Sequence, residues 1–274
     1  MPVMTGALFE ALLLAAGTVG SVRDATRSWY GDLAGPLLVP AASTVGVQEQ
    51  LAPGDHGLRV VLVAEPAAGD PTGLLGLREA RNRLLDDDRL ELTGVHVALP
   101  AGAPMAALLA ELDVSVPAWI EVSPVTGWHD ALAALAADGA EHLAVRFPRT
   151  VPPGADGAAP VPPDLQEVAA VVRRAVDLDL ALRVTGAGGG AASTVQVLAA
   201  LCAVRAALDG TPAEDLAGML GERDAAPLTA TLQGTSDADA AAVRGLLDGV
   251  VVPDVEQTAR ELAALGLVDP ADGT

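Results

Sequence analysis

Three charged residues share one parity in three short apolar runs: Glu121 in Pro117–Ser123 (PAWIEVS), Arg146 in His142–Pro148 (HLAVRFP) and Arg183 in Leu180–Thr185 (LALRVT). Alternate side chains of a strand face opposite sides. If Ile120 and Val122 pack outward under helices, then Trp119, Glu121 and Ser123 face the other way. The same parity sets Ala144 with Arg146, and Ala181 with Arg183 and Thr185. In Gly94–Pro100 (GVHVALP) it sets His96 and Ala98 against Val95, Val97 and Leu99. Glu65 closes an earlier run, Leu58–Glu65 (LRVVLVAE).

Brought together, these residues could bind a carboxylate or phosphate through the paired N–H donors of Arg146 and Arg183. Glu121 or Glu65 would serve as general base. Thr185 and the amides of Gly186–Gly190, Gly188 and Gly189 among them, would complete an anion cradle, with His96 a further lining candidate. The same residues admit a structural reading, in which Glu121 is the buried partner of Arg146 and Arg183 and the cluster is a salt-linked plug. A lone buried charge is too costly, so either reading requires pairing.

Other chemistries are excluded by residue type. All 16 basic residues are arginine, so there is no Schiff-base lysine, no covalent pyridoxal phosphate and no lysine of a Walker phosphate loop. The one cysteine, Cys202, lies in an apolar helical run and reads as a small buried hydrophobe. The histidines His56, His96, His129 and His142 show no metal-ligand spacing, so no metal is expected. The glycine run follows a late strand and lacks a ribose-binding acid at the right distance, so it is no dinucleotide fingerprint, and no cofactor is expected. Asp86-Asp87-Asp88 reads as a solvated helix end without the alternation of a calcium loop. With 36 acidic residues against 16 basic, the net charge of −20 repels nucleic acid and anionic membranes.

The elements that must position the cluster alternate along the chain. Strand-like runs begin at Gly35 (GPLLVP), Leu58, Gly94, Pro117, His142 and Leu180, separated by helical stretches such as Leu74–Leu85, Trp128–Asp138 and Asp164–Val176, the last with Asp164 as N-cap. After Gly190 the chain reads as helices to Leu247, then a last strand Gly249–Pro253 and a helix Val255–Leu265. This rhythm predicts βαβ units and a parallel sheet. The expectation is one α/β domain over 1–274, a TIM-barrel-like (β/α) fold, irregular with seven clear strands. It comprises an N-terminal helix at 5–28, a βα core at 35–190, a helical insertion at 191–247 and a last βα unit at 249–268. An eighth strand could hide in Leu228–Leu232; an open doubly wound parallel sheet is the alternative. Leu8–Val22 is too short for a membrane span and has no basic flank before Arg23, so it reads as a packed helix and the protein as cytoplasmic.

The succession Trp29-Tyr30…Gly35–Pro40, Gly94–Pro100, Val116–Val122 and Glu261–Leu267 resembles an uncharacterised family of actinobacterial barrel-like proteins, over nearly the whole chain. That family carries Asp-Asp-Ala-Ala…Phe-Pro-Pro-Gly near its N-terminus, and Lys-x-Arg-x-Gly-Gly after the fifth strand. Lys-x-Thr-x-Gly-x-His-His follows the sixth, and Ser-Phe-Gly-Ser-Cys lies near the last. Against that pattern Arg146 and Arg183 stand at the lysines, Gly189 and Gly190 at the histidine pair, and Val250–Asp254 at the Ser/Gly/Cys segment, while Leu13–Gly20 replaces the acidic segment. The resemblance implies a scaffold that kept Glu121, Thr185 and charge at two positions and lost its lysine and imidazole chemistry. Three functions are expected: a cofactor-independent lyase, isomerase or cyclase on a small anionic or natural-product-like metabolite; an inactive barrel acting as partner or stabilising subunit of an active homologue; or a small-molecule binding module. A homo-oligomer is a further expectation.

Overall fold

The computed structural model describes residues 6–15, 28–66, 69–70, 72–99, 105–112, 116–122, 128–137, 142–146, 164–186 and 191–270. Eight strands form one parallel sheet: β1 Leu13–Ala15, β2 Leu37–Pro40, β3 Leu58–Val63, β4 Leu90–Ala98, β5 Ala118–Val122, β6 His142–Arg146, β7 Ala181–Thr185 and β8 Leu247–Val252. Their order is β1-β8-β7-β6-β5-β4-β3-β2. The two end strands meet: Leu13 bridges Ala34 in parallel, and the Gly35 amide donates to the Leu13 carbonyl at 2.8 Å. The sheet is therefore a nearly closed barrel, an α/β TIM-barrel-like fold, and the open doubly wound alternative is ruled out by that contact.

Helices follow the strands as the alternation predicts. α1 Thr44–Gln50, α2 Leu74–Leu85, α3 Met105–Glu111, α4 Trp128–Ala137 and α5 Leu165–Asp177 cover the first half. After β7 come α6 Ala191–Leu208, α7 Ala213–Leu220, α8 Ala225–Leu232 and α9 Asp237–Leu246, and α10 Val255–Ala264 follows β8. The Asp164 carboxylate accepts from the Gln166 amide at 3.1 Å, as expected of the N-cap of α5. No helix among the described residues is long and apolar enough to cross a membrane.

The N-terminal reading needs correction. The expected helix at 5–28 is a 3-10 turn, Gly6–Leu8, followed by β1; residues 16–27 lie outside the described residues. The missing eighth strand is this one. Leu228–Leu232, the other candidate, lies in α8. Leu13, Leu14 and Ala15 are all buried, and a strand covered on both faces reads as a continuous apolar run that periodicity cannot tell from a buried helix.

Two apolar clusters show which way each strand faces. The larger lies between sheet and helices and takes Val95, Val97, Ile120, Val122, Leu143 and Val145. The smaller fills the barrel with Leu14, Leu38, Val61, Trp119 and Ala144, flanked by Val63 and Val251. Trp119 occupies the space that a side chain at Gly94 would need: a Cβ there would stand 2.1 Å from the indole ring. Gly249 leaves the corresponding room for Leu14, at 2.6 Å. Interior volume is thus shared between one large side chain and the glycine facing it.

Cys202 is buried in α6, and burial pushes its thiol up to about 12, which keeps it protonated. Asp87 is not the solvated helix end expected of an acidic triplet. Its carboxylate accepts from Arg89 Nε at 2.8 Å and Nη2 at 2.7 Å, and from Gln48 Nε2 at 3.3 Å, tying α1 to the entrance of β4. The Arg89 guanidinium lowers the Asp87 carboxyl to about 2. Because this folded-state value lies below that of an unfolded aspartate, about 4, the pair stabilises the fold above pH ~4, and the contribution fades as pH falls toward 2. Melting profiles of the wild type and Asp87→Asn should therefore differ most above pH ~4 and converge toward pH ~2; a gap independent of pH would show that Asp87 acts through shape alone.

Candidate functional site

Barrel ligands bind where strands end, and three of the expected residues converge there. His96 is third from the end of β4, Glu121 second from the end of β5, and Thr185 ends β7. The Thr185 hydroxyl donates to Glu121 Oε2 at 2.9 Å, and His96 Nε2 lies 3.2 Å from the same oxygen. An ionised carboxylate only accepts, so Nε2 carries the proton in that contact. All three side chains are buried, His96 at 4 % exposure and the other two at 8 %. Strand parity explains the convergence: Ile120 and Val122 face the helices, which turns Glu121 inward between β4 and β6. The carboxylate is thereby fixed in one position by donors from two other strands, an arrangement suited to accepting a proton from a bound molecule.

The remaining candidates divide. Arg146 ends β6 with its backbone opposite Thr185, and its side chain lies outside the described residues. Gly188 and Gly189 also lie outside them; Gly186, which leads into that loop, has a φ of 80°, the left-handed region that favours glycine. Glu65 follows β3 and is exposed, and its backbone is packed against Gly73, where a Cβ would stand 2.6 Å from the Glu65 amide nitrogen. The structure does not bring its carboxylate into the Glu121 cluster among the contacts described.

Arg183 departs furthest from expectation. It is 1 % exposed, and its Nε and Nη2 both donate to Asp248 Oδ2, at 3.0 Å and 2.5 Å. Its Cζ sits 3.5 Å from the centroid of the Trp119 ring, a stacked cation–π contact. The expected pairing of Arg183 with Glu121 is thus replaced by one with Asp248, at the entrance of β8. The cause is local. β7 and β8 pair Leu182 with Leu247 but Arg183 with Gly249, so Asp248 is an extra residue, and a bulge of this kind re-aims a side chain. Burial pushes the Arg183 guanidinium down from its ordinary value, and Asp248 opposes that shift. Arg183 is therefore part of the barrel floor and not a clamp at the mouth. A salt-linked plug does exist, built from Arg183, Asp248 and Trp119.

Asp248 was not legible in sequence, because the last strand was expected to begin at Gly249, and nothing in Leu247-Asp248-Gly249 marks a bulge. Among the described residues no group of three or more His, Cys, Asp or Glu is arranged to hold a metal ion.

No relative decides the chemistry. The chain matches no family model and no curated protein.

Replacing Asp248 by Asn would leave a buried guanidinium without its counter-charge. The expected loss of stability is about 2 kcal/mol, below the ~3–5 kcal/mol of a fully buried pair because solvent screens Asp248 in part. Urea unfolding measures this directly, and an unchanged midpoint would show that Arg183 does not depend on Asp248.

Proposed function

We propose that the protein is a cofactor-independent proton-transfer enzyme, an isomerase or lyase, acting on a small polar metabolite bound at the carboxyl ends of the strands. The observation that supports this reading is the Glu121 carboxylate, held through one oxygen by the Thr185 hydroxyl and the His96 imidazole, each from a different strand. Glu121 takes a proton from carbon, and the electron pair passes into an adjacent carbonyl or unsaturated group. The proton then returns at a neighbouring atom, or a leaving group departs with the pair. His96 and Thr185 are positioning residues, which hold the base by hydrogen bonds. Arg146, whose backbone pairs with that of Thr185, is the residue proposed to bind an anionic substituent. Arg183 is left out of this role, because its Nε and Nη2 are bound to Asp248 and it makes no described contact with the Glu121 cluster.

Proton abstraction is detectable before the substrate is known, because an abstracted proton exchanges with solvent. Incubated in D2O with a mixture of small carbon acids, the wild type should place deuterium in at least one of them, read by mass spectrometry. Glu121→Gln should slow that exchange by ~10²-fold or more. Exchange that persists in Glu121→Gln would remove Glu121 as base, and a wild type that exchanges nothing would count against the reaction class.

A further inference from the structure

The floor of the barrel carries more donors than its own side chains satisfy. Arg183 directs its Nε and Nη2 edge at Asp248, which leaves Nη1 on the opposite side of the fork. Arg183 Nη1, Trp119 Nε1 and His142 Nδ1 are all buried and have no protein partner among the described residues. They belong to one contiguous stack. The guanidinium lies on the indole at 3.5 Å, and the indole lies against the His142 ring at a centroid distance of 4.8 Å. His142 and Ala144 share the parity that faces the interior, and Trp119 and Ala144 belong to the interior cluster. Buried donors without partners are rare in folded proteins, and three in one stack call for an explanation, a bound acceptor being the simplest common one.

The chemistry of the donors identifies the class of molecule. Guanidinium and indole N–H groups can only donate, and an imidazole Nδ1 can donate in the appropriate tautomer, so the common partner is an acceptor. Of the three donors, the Arg183 guanidinium carries a positive charge. A second guanidinium, Arg244, is anchored beside the pair by donating to the Leu247, Asp248 and Glu10 carbonyls. Arg183 alone is ion-paired with the Asp248 carboxylate among the described contacts, and Arg244 lies near the charges of both Asp248 and Glu10. We propose that the barrel floor binds a small monovalent anion, a halide in size and charge, between Arg183 Nη1, Trp119 Nε1 and His142 Nδ1. The site shares no side chain with the Glu121 cluster, although Trp119 pairs in register with His96, and does not depend on any activity there.

The test uses chloride itself. Protein prepared in sodium gluconate is titrated with sodium chloride at constant ionic strength, following ³⁵Cl linewidth and thermal unfolding. The site predicts a saturable excess linewidth and a rise in Tm of a few degrees at saturation. Trp119→Phe keeps the ring stack and removes one donor, and should weaken the apparent affinity about tenfold. Trp128→Phe, on a tryptophan that donates to Glu167, should leave it unchanged. His142→Phe reads the same loss at a second donor should Trp119→Phe fail to fold. A chloride response that does not saturate, or that is the same in Trp119→Phe and His142→Phe as in the wild type, would overturn the proposal and assign the donors to water.

Discussion

Arg183 carries a charge into the middle of β7, where it is 1 % exposed, and the rest of the barrel interior is arranged around neutralising it. A guanidinium cannot shed its proton at any ordinary pH, so burial obliges the fold to supply a carboxylate and a surface that tolerates the cation. Asp248 supplies the first through the bulge in β8, and the face of Trp119 supplies the second. Trp119 can lie there only because Gly94, on the neighbouring strand, has no side chain. One charge thus accounts for the bulge, the tryptophan and the glycine.

The Arg183–Asp248 pair and the Glu121 cluster draw on different partners. With Arg183 committed to Asp248, the Glu121 carboxylate accepts from His96 and Thr185 at the carboxyl ends of the strands. Donation from an imidazole N–H and a hydroxyl orients that carboxylate without adding a positive charge at either donor when the imidazole is neutral. Closure of the sheet by the contact between β1 and the residues before β2 surrounds both groups with strand on every side.

Much of this was legible in the sequence, and the reason is strand parity. The outward sets Val95 with Val97 and Ile120 with Val122 are strictly apolar, so the facing directions of His96, Trp119 and Glu121 follow without any knowledge of the fold. What was not legible depends on breaks in that rule. The bulge at Asp248 shifts a residue between faces and leaves no mark in Leu247-Asp248-Gly249. β1 is buried on both sides, so Leu12-Leu13-Leu14 carries no alternation and reads as helix. Asp87 sits in a run of three aspartates whose composition suggests solvent, and its bidentate contact with Arg89, two residues on, depends on how the link between α2 and β4 folds back.

The central claim is that the interior polar residues form two independent units, a neutralised floor and a proton-accepting mouth. A thermodynamic double-mutant cycle of Glu121→Gln and Asp248→Asn, measured by urea unfolding, tests it most directly. Residues without shared partners should change stability additively, to within about 0.5 kcal/mol. A coupling well above about 1 kcal/mol would show that Glu121 and the Arg183–Asp248 pair belong to one network, and the division into floor and mouth would be wrong.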